Sequence, residues 1–291
     1  MSEAPSLEDL LGAELACPCA SPYDSAAVRW LLGGELHPGG DRLTRRLARL
    51  AGVRRGWRVL DVASGPGGTA RVLAAELAAE VVGVDRSPQS VAAARAEADA
   101  AGLGERVRFV EGNAETLPVA SGAFDAVVCE CALCLFPDKP KALAEIRRAL
   151  RPGGVLAVAD VTAELDDLPA SLRGAVARVA CIGEALSEDG YRALLRNAGF
   201  ELAAAESHDG ALAALAERVE ARLRVARMLR PAAGFAELIG EANELVREAK
   251  QAIARGSLGY ALFIARRAAS RPAPRRGGDT SQAGALREGQ A

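Results

Sequence analysis

The stretch "LDVASGPGG" (60–68) limits what this chain can fold into more than any other. It joins a short apolar run, "WRVLDVA" (57–63), to a segment of helical composition, "TARVLAAELAA" (69–79). Gly65, Gly67 and Gly68 at such a junction let the backbone pass close to a ligand and open the next helix. Asp85 closes the following apolar run, "EVVGVD" (80–85), 24 residues after Asp61. A carboxylate at that place can accept hydrogen bonds from both hydroxyls of a ribose. A sheet turn that needs glycine, with Asp85 as a helix-capping acid, would share the first feature. The loop, the acid and the strand-to-helix context together predict a nucleoside site.

The pattern then repeats. "SPQSVAAARAEADAAG" (87–102) reads as a helix with Ser87 as N-cap, Pro88 in the first turn and Gly102 at its end. "RVRFVEGN" (106–113) and "FDAVVCECAL" (124–133) read as strands, "KPKALAEIRRAL" (139–150) as a helix, and "GVLAVADV" (154–161) as a fifth strand. This alternation predicts an α/β fold: a doubly wound, mostly parallel, seven-stranded sheet with helices on both faces. Upstream, residues 1–16, 25–32 and 43–51 read as helices of an N-terminal lid (1–52), with a turn-rich loop at 17–25. Downstream, 168–186 reads as mostly helical and "SEDGYRALLRNAGF" (187–200) as a helix from Ser187 to Gly199. Residues 201–207 read as a strand. Two amphipathic helices, 211–230 and 234–255, form an insertion split at Pro231, and "LGYALFIARR" (258–267) is the last strand. The main domain is therefore expected over 53–268. The Pro-, Arg- and Gly-rich segment 269–291 is expected to be a disordered tail.

Charge is nearly balanced, 36 Lys+Arg against 38 Asp+Glu. It offers no argument for a nucleic-acid or anionic-membrane partner. No run approaches the roughly 18 apolar residues of a spanning helix, and the acidic N-terminus is unlike a signal peptide. A cytoplasmic location is the expectation, where clustered cysteines more often bind metal or do chemistry than form disulfides.

An acid, Asp61, ends the strand before the glycine loop. It would repel a phosphate but suits an ammonium group. The chain here resembles the class I S-adenosylmethionine-dependent methyltransferases. Their D-x-[GA]-x-G-x-G loop matches Asp61, Ala63, Gly65 and Gly67, and their G-[DN]-A-x-x-L-P segment matches "GNAETLP" (112–118). Their FD-x-V strand matches "FDAVV" (124–128) and their R-P-G-G turn matches 151–154. The resemblance spans about residues 55–165. It implies S-adenosyl-L-methionine as cofactor, with Asp85 on the ribose and Asn113 and the Ala114 backbone at the adenine edge. The Gly65–Gly67 backbone would lie along the methionine part, with Arg86 and Cys129 completing the lining.

"CECALCLFPDK" (129–139) carries three of the six cysteines. Small buried residues, a structural zinc site and a redox switch are all open to such a cluster. A closer resemblance is to the arsenite methyltransferases. Their N-C-V-x-N-L-x-P-D-K segment matches "ECALCLFPDK", with Cys131 at the cysteine. Their C-[VI]-x-G-A-[LI] segment matches "CIGEAL", with Cys181. This implies a thiolate site at Cys131 and Cys181 for a trivalent metalloid, a soft element suited to soft sulfur ligands. Its lone pair needs no general base, so positioning dominates. Cys134, or the pair Cys17 and Cys19, would assist as a further ligand or thiol. A thiol reductant is implied as co-reactant.

The chain departs from that family in three ways, one being that Cys129 and Cys134 are extra. No cysteine lies between Cys19 and Cys129, and Glu130 replaces the usual Asn. Methylated arsenic, antimony, selenium, tellurium or a small organic acceptor therefore stay open as substrates. Two other functions stay open as well. One is a small-molecule O-, N- or C-methyltransferase with incidental cysteines, using Glu130 or His37. The other is a thiol-based metalloid-binding protein without turnover. The sequence is silent on oligomeric state.

Overall fold

Apolar β-branched runs alternating with Ala- and Leu-rich helices build one seven-stranded sheet in a computed structural model of the chain, in the strand order β3-β2-β1-β4-β5-β7-β6. The structure describes residues 26–34, 36–174, 177, 180–228 and 233–269. The expected helix at 1–16, the Cys17–Cys19 loop and the tail beyond 269 lie outside them. The strands are β1 (Arg58–Val62), β2 (Glu80–Asp85), β3 (Val107–Glu111), β4 (Phe124–Glu130), β5 (Leu150–Ala163), β6 (Phe200–Ser207) and β7 (Leu258–Arg267). The helices before β3 are α1 (Ala26–Leu32), α2 (Gly40–Ala51), α3 (Gly68–Leu77) and α4 (Pro88–Ala100). Those after β4 are α5 (Lys139–Ala149), α6 (Glu188–Asn197), α7 (Asp209–Met228) and α8 (Ala233–Arg255). None of the described helices is long and apolar enough to cross a membrane.

β1 to β5 pair in parallel, and β7 runs antiparallel to both β5 and β6. The central strands bury nearly every residue, as expected for strands covered on both faces. Strand order reverses between β1 and β4, so the carboxyl ends of β1, β2 and β4 open onto one crevice, the usual ligand position in such sheets. Helix starts follow the local chemistry. Ser87 accepts the Ser90 N–H at α4, Asp138 the Lys141 N–H at α5 and Ser187 the Gly190 N–H at α6.

Two stretches differ from the sequence reading. β5 begins at Leu150 and runs through the Arg-Pro-Gly-Gly turn, with a register shift opposite Phe124–Ala126. Arg151–Gly154 pair with neither neighbouring strand, so the turn persists as a bulge between the Leu150–Phe124 and Val155–Ala126 pairs, and continuous pairing starts at Val155. The stretch 168–186 is not one helix in its described residues. Its described residues hold a 3₁₀ turn at Ala170–Arg173, a helical Ala177 and turns around Cys181, whose φ is +62°. A bridge between Thr162 and Leu186 and the Ala163 N–H bond to the Leu186 carbonyl dock this segment on β5.

Close packing also fixes β2. A Cβ at Gly83 would lie 2.4 Å from the Phe109 ring and 2.8 Å from Ser64 Oγ. Gly83→Ala is expected to destabilise the protein by about 1–3 kcal/mol, the usual cost of overpacking, measurable by denaturant unfolding.

Candidate functional site

The carboxyl ends of the parallel strands line a cavity of about 1160 Å³. β1 contributes Asp61 and, beyond it, Ala63, Ser64 and Gly65. β2 contributes Asp85, followed by Arg86. The loop after β3 contributes Asn113 and Ala114. The end of β4 contributes Glu130, Cys131 and, one turn on, Cys134. His37, in the turn before α2, faces the same space.

The glycine loop is held by Asp85. Its carboxylate accepts the Gly65 N–H and the Ser87 N–H, each at 2.8 Å. One side chain thus ties the first loop to the second, while it also lines the cavity. Gly67 caps α3 with φ +78°, and a Cβ there would meet the Phe109 ring at 2.4 Å. It shapes the loop from behind and is not on the wall. The side-chain oxygen of Asn113 accepts the Glu115 N–H at 2.9 Å, so the amide is oriented by its own turn.

Asp61 is buried, and its Oδ2 has no hydrogen-bond partner. Burial, then the nearby Glu130 and Asp85 carboxylates, push its carboxyl well above the usual range. Such a cluster favours a cationic ligand, which would relieve all three groups. The amino acid part of S-adenosylmethionine carries an ammonium and a sulfonium. The unpartnered Asp61 oxygen and the fixed Asp85 carboxylate therefore fit that cofactor.

Glu130 is held from two helices. Its Oε1 accepts hydrogen bonds from Thr44 of α2 at 2.9 Å and Thr69 of α3 at 3.0 Å. Its Oε2 is buried, with His37 Nδ1 at 3.7 Å.

The cysteines divide. Cys129 is fully buried among apolar side chains on the other side of the sheet and does not reach the cavity, unlike the position expected for it. Cys131 and Cys181, 50 residues apart, bring their sulfurs to 3.5 Å. The Cys181 thiol also donates to the Cys131 carbonyl at 3.3 Å. Both residues have a left-handed backbone, φ +53° and +62°, which is uncommon without glycine. The Cys131 N–H is fixed on the Ala159 carbonyl at 2.6 Å. Cys131 and Cys134 are on the cavity wall, and Cys181 stands behind them, buried. The contact with Cys181, then burial, raises the Cys131 thiol well above its ordinary value. Burial, then the Cys181 contact, does the same for Cys134. These thiols hold their protons until a reacting partner removes them.

Asp160 was not among the residues singled out in the sequence. It is fully buried in β5, and burial lifts its carboxyl to about 7. Its oxygens accept the Cys134 N–H and the Val161 N–H, each at 2.9 Å. The available signal was an acid in the middle of the apolar strand "GVLAVADV". Thr44 and Thr69 gave none.

A family model described as "Methyltransferase domain" matches residues 54–199. The chain is 33% identical over 234 residues to the 27-O-demethylrifamycin SV methyltransferase of Amycolatopsis mediterranei, covering 78% of this chain and 83% of that one. It is 36% identical over 159 residues to an arsenite methyltransferase of Halobacterium salinarum, covering 52% of this chain and 39% of that one. For several of the curated relatives it matches, the chain spans about six tenths of their length or less. Among solved structures, the [4+2]-cyclase SpnF superposes with a TM-score of 0.71 at 25% identity, over 92% of this chain and 98% of that one. A phosphoethanolamine N-methyltransferase of Haemonchus contortus, solved with S-adenosylhomocysteine, gives 0.69 at 22% identity, over 83% of this chain and 56% of that one.

Proposed function

We propose that this chain, which belongs to the methyltransferase domain family and uses S-adenosylmethionine, methylates a trivalent metalloid held by Cys131 and Cys181, arsenite or methylarsenite in the first instance. The observation that carries this reading is the 3.5 Å approach of two sulfurs from distant segments beside the cofactor cavity. Core packing alone gives no reason for both to adopt a left-handed backbone there.

S-adenosylmethionine, when bound, supplies an electrophilic methyl group on a sulfonium. The chain's part is to place the acceptor. Buried, protonated thiols suit arsenite, because each arsenic–sulfur bond forms as the thiol proton leaves with an arsenic hydroxyl as water. No separate base is required. Cys131 on the wall and Cys181 behind it fix two sulfurs in one direction, and Cys134 is the nearest further thiol. Asp85 would take the ribose hydroxyls, Asp61 the ammonium, and Asn113 with Ala114 the adenine edge. Thiol turnover calls for a thiol reductant in solution.

The test is incubation with labelled S-adenosylmethionine, arsenite and a thiol, followed by separation of arsenic species with elemental detection. Methylated arsenic is expected. A labelled cofactor that binds tightly but yields no methylated metalloid would remove arsenite as substrate.

A second reading is O-methyl transfer to a small organic acceptor. It is favoured by the His37–Glu130 pair on the cavity wall and by the relative from Amycolatopsis. Under it, Glu130→Gln would lower turnover by about 10²-fold or more with cofactor affinity retained. Under the metalloid reading the same change lowers methyl transfer much less, because no proton is taken by a side chain.

A further inference from the structure

The reading above leaves one buried carboxylate unused. Asp160 sits in the core, where an ion without partners is costly. Two backbone N–H groups and the Cys134 thiol already bond its oxygens, and of a carboxylate's roughly four acceptor sites this leaves one open. The ligating atoms of Cys131, Asp160 and Cys181 all lie within 4.8 Å of one another. They come from three separate segments: the end of β4, the middle of β5 and the turn before α6. Around them, the hydroxyls of Tyr191 and Tyr260 are buried with no hydrogen-bond partner. Asp160 and the three thiols Cys131, Cys134 and Cys181 are among the neighbours of Tyr191, and Asp160, Cys131 and Cys181 among those of Tyr260. Buried donors without acceptors are the complement of ligand atoms that have become anionic.

We propose that Cys131, Cys181 and Asp160 form a two-sulfur, one-oxygen site for a thiophilic divalent cation of the zinc–cadmium type, with its fourth position toward the cavity that Cys131 lines. Metal–sulfur and metal–oxygen bonds of about 2.3 and 2.1 Å in a tetrahedron place the sulfurs about 3.8 Å apart and each sulfur about 3.6 Å from the oxygen. The sulfurs already stand at 3.5 Å, and the carboxylate, within 4.8 Å of each sulfur, is at most about 1.2 Å too far. Each thiol releases its proton to water as its metal–sulfur bond forms. Carboxylate oxygen is an ordinary zinc ligand beside cysteine sulfur, whereas trivalent arsenic prefers sulfur throughout. The site shares its thiol pair with the proposed function and makes such cations competitors of the metalloid. It does not depend on methyl transfer taking place.

The test is titration of the full chain with cadmium alone, in a Cys17→Ser/Cys19→Ser background, following the ultraviolet thiolate-to-cadmium absorption. One ion per chain is expected, with the intensity of two thiolates. Cys131→Ser or Cys181→Ser should abolish it, and Asp160→Asn should weaken binding at least about tenfold. An intensity of three or four thiolates, or unchanged affinity in Asp160→Asn, would overturn the assignment in favour of an all-sulfur site that includes Cys134. No cadmium absorption would overturn it outright. Thiolate intensity is read on unaltered Asp160, so the test stands even if Asp160→Asn fails to fold. Cadmium binding without arsenite methylation would retain this site and remove the metalloid function; the reverse result would do the opposite.

Discussion

A Cys131→Ser/Cys181→Ser variant is expected to lose arsenite methylation by at least about 10²-fold, the scale of effect that misplacing a reacting group produces. Serine matches cysteine in shape, and its hydroxyl can still reach the Cys131 carbonyl acceptor. It is a hard ligand, however, and does not hold a soft element as sulfur does. S-adenosylmethionine affinity, read by calorimetry, should be unchanged, because Asp61, Asp85 and the glycine loop are untouched. That split between acceptor and cofactor separates a thiol site from a folding defect. Full activity in the double variant would sink the metalloid reading and leave the His37–Glu130 pair as the site of interest.

Asp85→Ala should act on the other substrate. The carboxylate holds the Gly65 and Ser87 N–H groups. Charge-assisted bonds of this kind contribute about 1.5–3 kcal/mol each. Losing both frees the loop and removes the expected ribose acceptor, so S-adenosylmethionine binding should weaken by about 10²-fold or more. Asp85→Asn keeps one acceptor oxygen and should fall between. Calorimetry with the intact cofactor measures both, and thermal unfolding separates loop loosening from global loss. Unchanged affinity in Asp85→Ala would mean that the nucleoside is held elsewhere.

Much of this molecule was legible in the chain because its signals are local. The run "EVVGVD" is a strand with the expected bounds, and Ser87 and Ser187 cap the helices they precede. The last strand, Leu258–Arg267, also falls where the apolar run places it. The misplaced pieces are those decided at a distance. Residues 168–186 have mostly helical composition, and the described ones keep a 3₁₀ turn and a helical Ala177, yet docking of Leu186 on β5 and the left-handed Cys181 put turns at the end of the stretch. Cys129 and Cys131 are two residues apart and would share a face of a continuing strand, but β4 ends at Glu130 and the left-handed backbone at Cys131 turns only that residue to the cavity. Asp160 gains its meaning from Cys134 and Cys181, which no pattern along β5 announces.

The left-handed backbone at Cys131 bears on what selection would do with this position. For a side chain with a Cβ, that conformation costs about 1–2 kcal/mol relative to glycine, and asparagine tolerates it better than cysteine. A library randomised at 131 and sorted for thermal stability alone should therefore drift toward glycine and asparagine. Sorted for survival on arsenite, the same library should return cysteine. The gap between those two outcomes measures how much stability the fold forgoes to keep a sulfur at that corner.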